Sequence, residues 1–353
     1  MYTKRRYSVF AMVAWTRQEI VLFLVVATLP VLAHEVFGQT WLHLPWLPIA
    51  LIGTAVAFII SFQNNATYGR LWEARKIWGG ITNASRSWAL VVKDFVTNDF
   101  TNNPASDEEL HEIKRTLVMR QVAWLTALRH AMRQPRPWEH SLEHRTNREW
   151  TEKIGVREHL TPIEEELADK LPAEERDYVC GKTNKPAQIL SLQSKQLREL
   201  RSRSLIEDFR HMEMQGVLNT LIDLQGRSER IKNFPYPRQY ATLNSTFLWI
   251  FVLLIPMGVM YEFDQMGHEL TEKYPLMGPY FIWLSIPFSL IVMWVFYTME
   301  RIGRVSENPF EGTPNDVPIT TMSRGIEIDL REMLDESPET IPSPIEPKHH
   351  TQM

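Results

Sequence analysis

The residues with catalytic potential are few and poorly spaced for catalysis. His211 and Glu213 stand two apart, a separation that does not bring them together on a helix, and no nearby pattern adds a metal triad or a nucleophile with its base. His130, His140 and His144 lie in charged, helix-forming sequence and read as helix-surface or interfacial groups, and the His349-His350 pair reads as surface. Cys180 is the only cysteine, which excludes an intrachain disulfide and any multi-cysteine zinc or iron–sulfur centre. The chain contains no Walker loop, dinucleotide fingerprint or nucleophile elbow. The expectation is a protein that is not an enzyme, with no cofactor and no metal site that the residues specify.

A different kind of chemistry is suggested by Thr54-x-x-x-Phe58-x-x-x-Phe62. Residues four apart share one face of a helix, so copies of this stripe around an oligomer axis would stack into apolar rings. Such a constriction gates ions by dewetting and conducts when it widens. The plain alternative is that the stripe packs against a neighbouring helix.

The elements that must position this stripe are membrane helices. Residues 241–261 and 278–299 are uninterrupted runs of 21 and 22 residues without Asp, Glu, Lys or Arg. Each is long enough to cross a hydrocarbon layer about 30 Å thick at about 1.5 Å per residue. An apolar run over 20–33 predicts a first helix over 18–37. The basic opening Lys4-Arg5-Arg6 makes that run superficially resemble a secretion signal, but Leu32-Ala33-His34 is a poor cleavage sequence, and it is read as retained. After Gly38, Pro45 and Pro48 a second helix begins, and with no breaker after Gln63, Asn64 and Asn65 it is expected to continue through Tyr68 and Trp72. The mean hydropathy of −0.23 averages these apolar ends with a charged middle and hides both.

Organisation follows from the same reading. Expected are a cytosolic N-terminal segment (1–17), a first membrane pair carrying the stripe (18–69), a helical cytosolic domain (70–240), a second membrane pair (241–299), a cytosolic C-terminal region (300–334) and a disordered or wrapping tail (335–353). In the charged middle, Leu110, Ile113, Leu117, Trp124 and Leu128 mark an amphipathic helix. Five prolines in 133–187 predict short helices and turns, a longer helical stretch covers roughly 188–225, and Pro235 and Pro237 form an elbow. Lys and Arg cluster at four flanks (Lys4 to Arg17, Arg70 to Lys76, Arg238, and Arg301 with Arg304), whereas the loop 262–277 is mainly acidic. This places both termini and the middle in the cytosol. Trp41, Trp46, Tyr261, Tyr274 and Tyr280 sit where interfacial anchors belong. A formal charge of −4 over 353 residues argues against nucleic-acid binding.

Below the stripe, the run from Asn64 through Arg70-Leu71-Trp72-Glu73-Ala74-Arg75-Lys76 to Gly79 resembles the family signature of bestrophins, particularly bacterial ones. Similar features recur in Leu221–Ile231, in Pro235, Pro237 and Tyr240, and in Glu307-Asn308-Pro309-Phe310. The resemblance implies an all-α integral membrane protein of the bacterial inner membrane, multi-pass, with four membrane helices per subunit, a large helical cytosolic region and five subunits around one ion pathway. Its partners would be further copies of the chain, membrane lipids and small monovalent ions. Aligning the family's Arg-x-Trp with Arg70 and Trp72 puts its neck on Thr54, Phe58 and Phe62, where Thr54 departs from a fully hydrophobic triplet. A second constriction near the cytosolic exit falls on Ile189 or Leu190, with core packing as the competing role. Arg70, Glu73, Arg75 and Lys76 would lie at the neck exit, or form a salt-bridge network. Glu311, Asn315 and Asp316 stand where animal relatives carry an acidic calcium cluster, but supply a sparse version better read as a structural turn. Acidic residues along the route lean the expectation slightly towards cations, with a chloride or anion channel as one alternative and a membrane-anchored scaffold or binding protein as the other.

Overall fold

The computed structural model describes residues 1–139 and 143–353; His140 lies outside them. Helices dominate, in this order: α1 Val9–Trp15, α2 Arg17–Phe37, α3 Trp46–Phe95, α4 Asp107–Arg133, α5 Arg145–Ile154, α6 Arg157–Leu160, α7 Ile163–Glu166, α8 Ala173–Cys180, α9 Lys185–Ser202, α10 Asp208–Asn233, α11 Arg238–Lys273, α12 Ser285–Val305 and α13 Ile319–Met333. Short 3-10 turns occupy Thr40–Leu42 and Gly278–Leu284. The fold is all-α as expected, and four helical stretches, Arg17–Phe37, Trp46–Phe95, Arg238–Lys273 and Gly278–Val305, are long and apolar enough to cross a membrane.

The chain divides into two compact units, one of residues 1–3, 70–234 and 308–353 and the other of 4–69 and 235–307. In the second, which holds the membrane-crossing stretches, Phe23, Val56, Ile60, Leu248, Phe251, Ile255, Met293 and Tyr297 form a common core. Two glycines make room for neighbouring side chains there: a Cβ on Gly53 would lie 2.5 Å from Phe251 Cζ, and one on Gly303 would lie 2.2 Å from Asn64 Oδ1. Inside the same unit Arg301 pairs with Glu19 at 3.0 Å, donates to Trp15 O at 3.0 Å and stacks over the Trp15 ring, 4.2 Å from its centroid. A charge in apolar surroundings needs such an opposite partner, because an unpaired one is expensive there.

The helical unit is built around α4. Ser106 caps it by accepting from Glu109 N at 3.2 Å, and Leu117, Trp124 and Leu128 from the amphipathic pattern are wholly buried. Several polar groups in this core find partners: Trp124 Nε1 donates to Gln225 Oε1 at 3.0 Å, and Trp88 Nε1 and Gln193 Nε2 both donate to Leu117 O, at 3.2 and 2.6 Å. Arg129, Arg133 and Arg157 face Glu158, Glu166 and Asp316, three charges of each sign, in a largely buried network.

Two elements differ from the sequence reading. The stretch expected as one helix over roughly 188–225 is two, α9 and α10. Ser204 adopts φ 55°, with Leu205 N donating to Leu200 O and Ser204 N to Arg201 O, the paired bonds of a Schellman stop. Serine at the left-handed position carries no warning, since glycine is the usual marker. Secondly, α11 runs to Lys273 through the expected loop 262–277, because charged side chains do not end a helix, a lone glycine such as Gly267 is tolerated inside one, and the next proline is Pro275. The second helix continues through Tyr68 and Trp72 as expected: α3 is 50 residues long and ends at Phe95. The C-terminal stretch lies against its own unit: Tyr2 bridges Thr351, Thr321 N donates to Met353 O at 2.5 Å, and Ile154, Val156 and Met353 form a small apolar cluster.

Candidate pore-lining surface

Two faces of the first part of α3 have opposite character. Ile49, Gly53, Val56, Ile60, Gln63 and Thr67 are buried, at alternating spacings of four and three. That side is fixed by Phe251 against Gly53 and by Asn244 Nδ2 donating to Gln63 Oε1 at 2.8 Å. The other side carries Thr54, Phe58 and Phe62, all exposed, with Phe58 at 74% and Phe62 at 64%. Successive members of the stripe are about 6 Å apart along the helix axis. Two large aromatic rings and one hydroxyl residue thus stand side by side on a surface that no described residue of the subunit covers.

Thr54 is less polar here than its side chain suggests. Its Oγ1 donates to Ala50 O at 2.9 Å, so the hydroxyl is bonded back along the helix. The departure from a fully hydrophobic triplet is therefore partly cancelled by local geometry.

The four charges below the stripe are held in different ways. Arg70 donates through Nη2 to Ile231 O at 3.1 Å and so acts on the backbone of α10, while the Arg75 guanidinium lies 5.4 Å from the Trp72 ring centroid. Glu73 and Lys76 are exposed.

Ile189 and Leu190 are both buried on α9 within the helical unit, with relative exposures of 0% and 1%. Ile189 belongs to the core, and Leu190 also forms part of the floor of a groove between α9 and α10 with Ser191, Ser194, Gln215 and Ile222. In this arrangement Ile189 has no face to present to an aqueous path, which is the core-packing role that competed for it.

The Glu311–Asp316 turn is closed on itself. Asp316 accepts from Gly312 N at 2.6 Å, Thr313 N at 3.1 Å and Thr313 Oγ1 at 2.5 Å, and Arg133 Nη1 lies 3.5 Å from Oδ2. Glu311 accepts from Asn308 Nδ2, and Arg133 also donates to Phe310 O at 2.9 Å. An arginine where a dication would sit, and a carboxylate already saturated by the loop, do not fit a calcium site. Among the residues first weighed for catalysis, His130 is pushed down to about 4 by burial and by Arg129, so it is neutral near pH 7, and burial raises the Cys180 thiol. His211 lines the α9–α10 groove, and His144 sits at the N-terminus of α5.

Sequence reasoning missed the buried polar contacts that fix α3, Gln63 with Asn244 and Asn64 Nδ2 donating to Met299 O at 3.1 Å. Their one signal is amide side chains continuing an apolar run. It also missed His34, His43 and Asp264, which converge from α2, the following connection and α11 although Asp264 is more than two hundred residues from the histidines in sequence.

The model of a family described as bacterial and fungal bestrophin proteins matches residues 5–332. A protein of Escherichia coli K12 named voltage-dependent anion channel-forming protein YneE is 26% identical over 307 residues, covering 87% of this chain and 82% of its own. A Ralstonia nicotianae protein named voltage-dependent anion channel-forming protein RSc3414 is likewise 26% identical, with 83% and 82% covered. Among solved structures, a bacterial bestrophin homologue from Klebsiella pneumoniae superposes with a TM-score of 0.68 at 22% identity, over 90% of this chain and 98% of that one. With four membrane-crossing stretches in place and a family match over nearly its whole length, this chain is a multi-pass membrane protein with a channel-type fold and belongs to the bestrophin family.

Proposed function

We propose that the chain forms a homo-oligomeric ion channel, with five copies turning the Thr54–Phe58–Phe62 stripe of α3 towards a common axis and passing small monovalent ions down their gradient. The observation that carries this reading is the pair of exposed phenylalanines four residues apart on a membrane-crossing helix whose opposite side is fully packed. Stacked rings of this kind present water with a narrow apolar passage that empties when tight and fills when widened. In the bacterial inner membrane, the basic flanks favour a cytosolic side for both termini and for the helical unit.

On selectivity, the acidic residues that lean the sequence reading towards cations have less support than the names of the relatives, which describe anion channels. The chemistry of the neck agrees with the relatives. The edge of a phenyl ring is its positive part, so rings pointing edge-on at an axis favour an anion over a cation. Anion conduction is therefore the reading adopted here.

A planar-bilayer recording of the purified protein under asymmetric NaCl tests it: the reversal potential should move towards that of chloride. A shift towards the sodium potential would replace the anion reading by a cation channel with the same neck. No flux from correctly assembled oligomers would leave a membrane-anchored scaffold.

A further inference from the structure

At the end of the membrane-crossing unit furthest along the chain from its basic flanks, three elements bring metal-binding side chains together. His34 lies near the C-terminus of α2, His43 in the connection to α3, and Asp264 in α11. One ligand atom from each lies within 4.8 Å of the other two. The imidazoles of His34 and His43 stack with centroids 4.2 Å apart, and Tyr261 meets His43 edge-on at 5.6 Å. His43 Nε2 stands 4.0 Å from Asp264 Oδ2, too far for a hydrogen bond, and is buried with no hydrogen-bond partner among the described residues. His268 Nε2 lies 3.6 Å from the same Asp264 oxygen.

We propose that His34, His43 and Asp264, with His268 as the fourth ligand, form a binding site for a divalent transition metal of the zinc class. Two or three imidazoles with one carboxylate make a donor set suited to zinc, nickel or copper, and unlike the all-oxygen cage that calcium or magnesium takes. A tetrahedral zinc with bonds of 2.0–2.2 Å holds its donors about 3.3 Å apart. For His34, His43 and Asp264, whose ligand atoms lie within 4.8 Å of one another, this needs at most about 1.5 Å of side-chain closure. Glu35 Oε1 lies 3.2 Å from His34 Nδ1; accepting that proton, it would leave the Nε2 lone pair for the ion, a common support for a metal-bound imidazole. An ion held here would tie α2, the first connection and α11 together.

Full-length, untagged protein, stripped with a chelator, should bind one Co2+ per subunit with the visible absorption of four-coordinate cobalt, and Zn2+ should abolish that absorption. His43→Gln and Asp264→Asn should each weaken binding by at least about tenfold, and Glu35→Gln by about tenfold. The double variant His349→Ala, His350→Ala, which removes the other exposed histidine pair, should bind as the native chain does. Size-exclusion profile and metal-free melting temperature identify a variant that has failed to fold, and Asp264→Asn, nearly isosteric, carries the test if His43→Gln does. Absence of the cobalt absorption, binding undiminished in folded Asp264→Asn, or binding lost in the His349/His350 variant would each overturn the site. None of these readouts involves conductance, so failure here leaves the channel proposal standing, and the reverse.

Discussion

Replacing Glu158 by glutamine should destabilise the helical unit by about 3 kcal/mol at neutral pH, and that difference should vanish in acid. The Glu158 side chain is completely buried. Burial alone would raise its pKa, but the charges of Arg133 and Arg129, and hydrogen bonds from Thr320 Oγ1 at 2.6 Å and from Arg129, overcome this and hold it at about 2, against an ordinary 4.5. That fall corresponds to about 3 kcal/mol of folding stability, close to the ~3–5 kcal/mol by which removing one partner destabilises a buried pair. The sign follows from the direction: a lowered acid contributes fully above its unfolded value and loses its contribution as pH drops from 4.5 towards 2. Glu158→Gln keeps the shape while leaving the network with an excess positive charge. Urea unfolding in detergent, followed through the buried Trp78, Trp88 and Trp124, would show native and variant curves well separated at pH 7 and converging near pH 2. His130 titrates in both proteins, so the informative quantity is the difference between them. Equal stability at pH 7, or a gap unchanged at pH 2, would refute the assignment of Glu158 as the charge that holds Arg129 and Arg133 in place.

Four further outcomes are expected. Phe58→Ala or Phe62→Ala should raise liposome ion flux about tenfold, equivalent to about 1.4 kcal/mol off a hydrophobic barrier, while Thr54→Val should alter it by less than about twofold because the hydroxyl is already bonded to Ala50 O; unchanged flux in both phenylalanine variants would remove the neck. Ser204→Gly should stabilise the chain by roughly 0.5–1 kcal/mol by relieving a left-handed residue, read as a raised melting temperature. Glu19→Gln, which leaves Arg301 without its ion pair, should lower stability by about 3 kcal/mol or more, measurable as loss of the monodisperse peak on mild heating. Gly53→Leu should drive a side chain into Phe251 and cost at least about 1–3 kcal/mol, seen in the same assay.

The number and type of the membrane helices were legible in the sequence because absence of charge over twenty residues is a local property. The stripe of α3 was legible for the same reason, as spacing on one helix shows which residues share a face. What lay beyond reach depended on distance along the chain. Glu19 and Arg301 are 282 positions apart, and neither carries a mark of the other. Ile189 and Leu190 were candidates for a constriction through the family resemblance, whereas their burial depends on the helices that cover α9. The break at Ser204 was invisible because a residue without glycine's freedom takes the glycine conformation there. Asp316 looked like a sparse calcium ligand until Arg133, far away in sequence, occupied the place of the ion.

The bond from Thr54 to Ala50 O has a consequence for timing. Threonine in a helix has two accessible χ1 settings, and only one of them spends the hydroxyl on the preceding turn. Swinging it out would offer water a foothold at one level of the stripe without displacing any backbone, on the nanosecond scale of rotamer hops, whereas collective helix motions take microseconds or longer. Wetting at that level and dilation at the phenylalanines would then run on separate clocks, one fast and reversible, the other slow and committing.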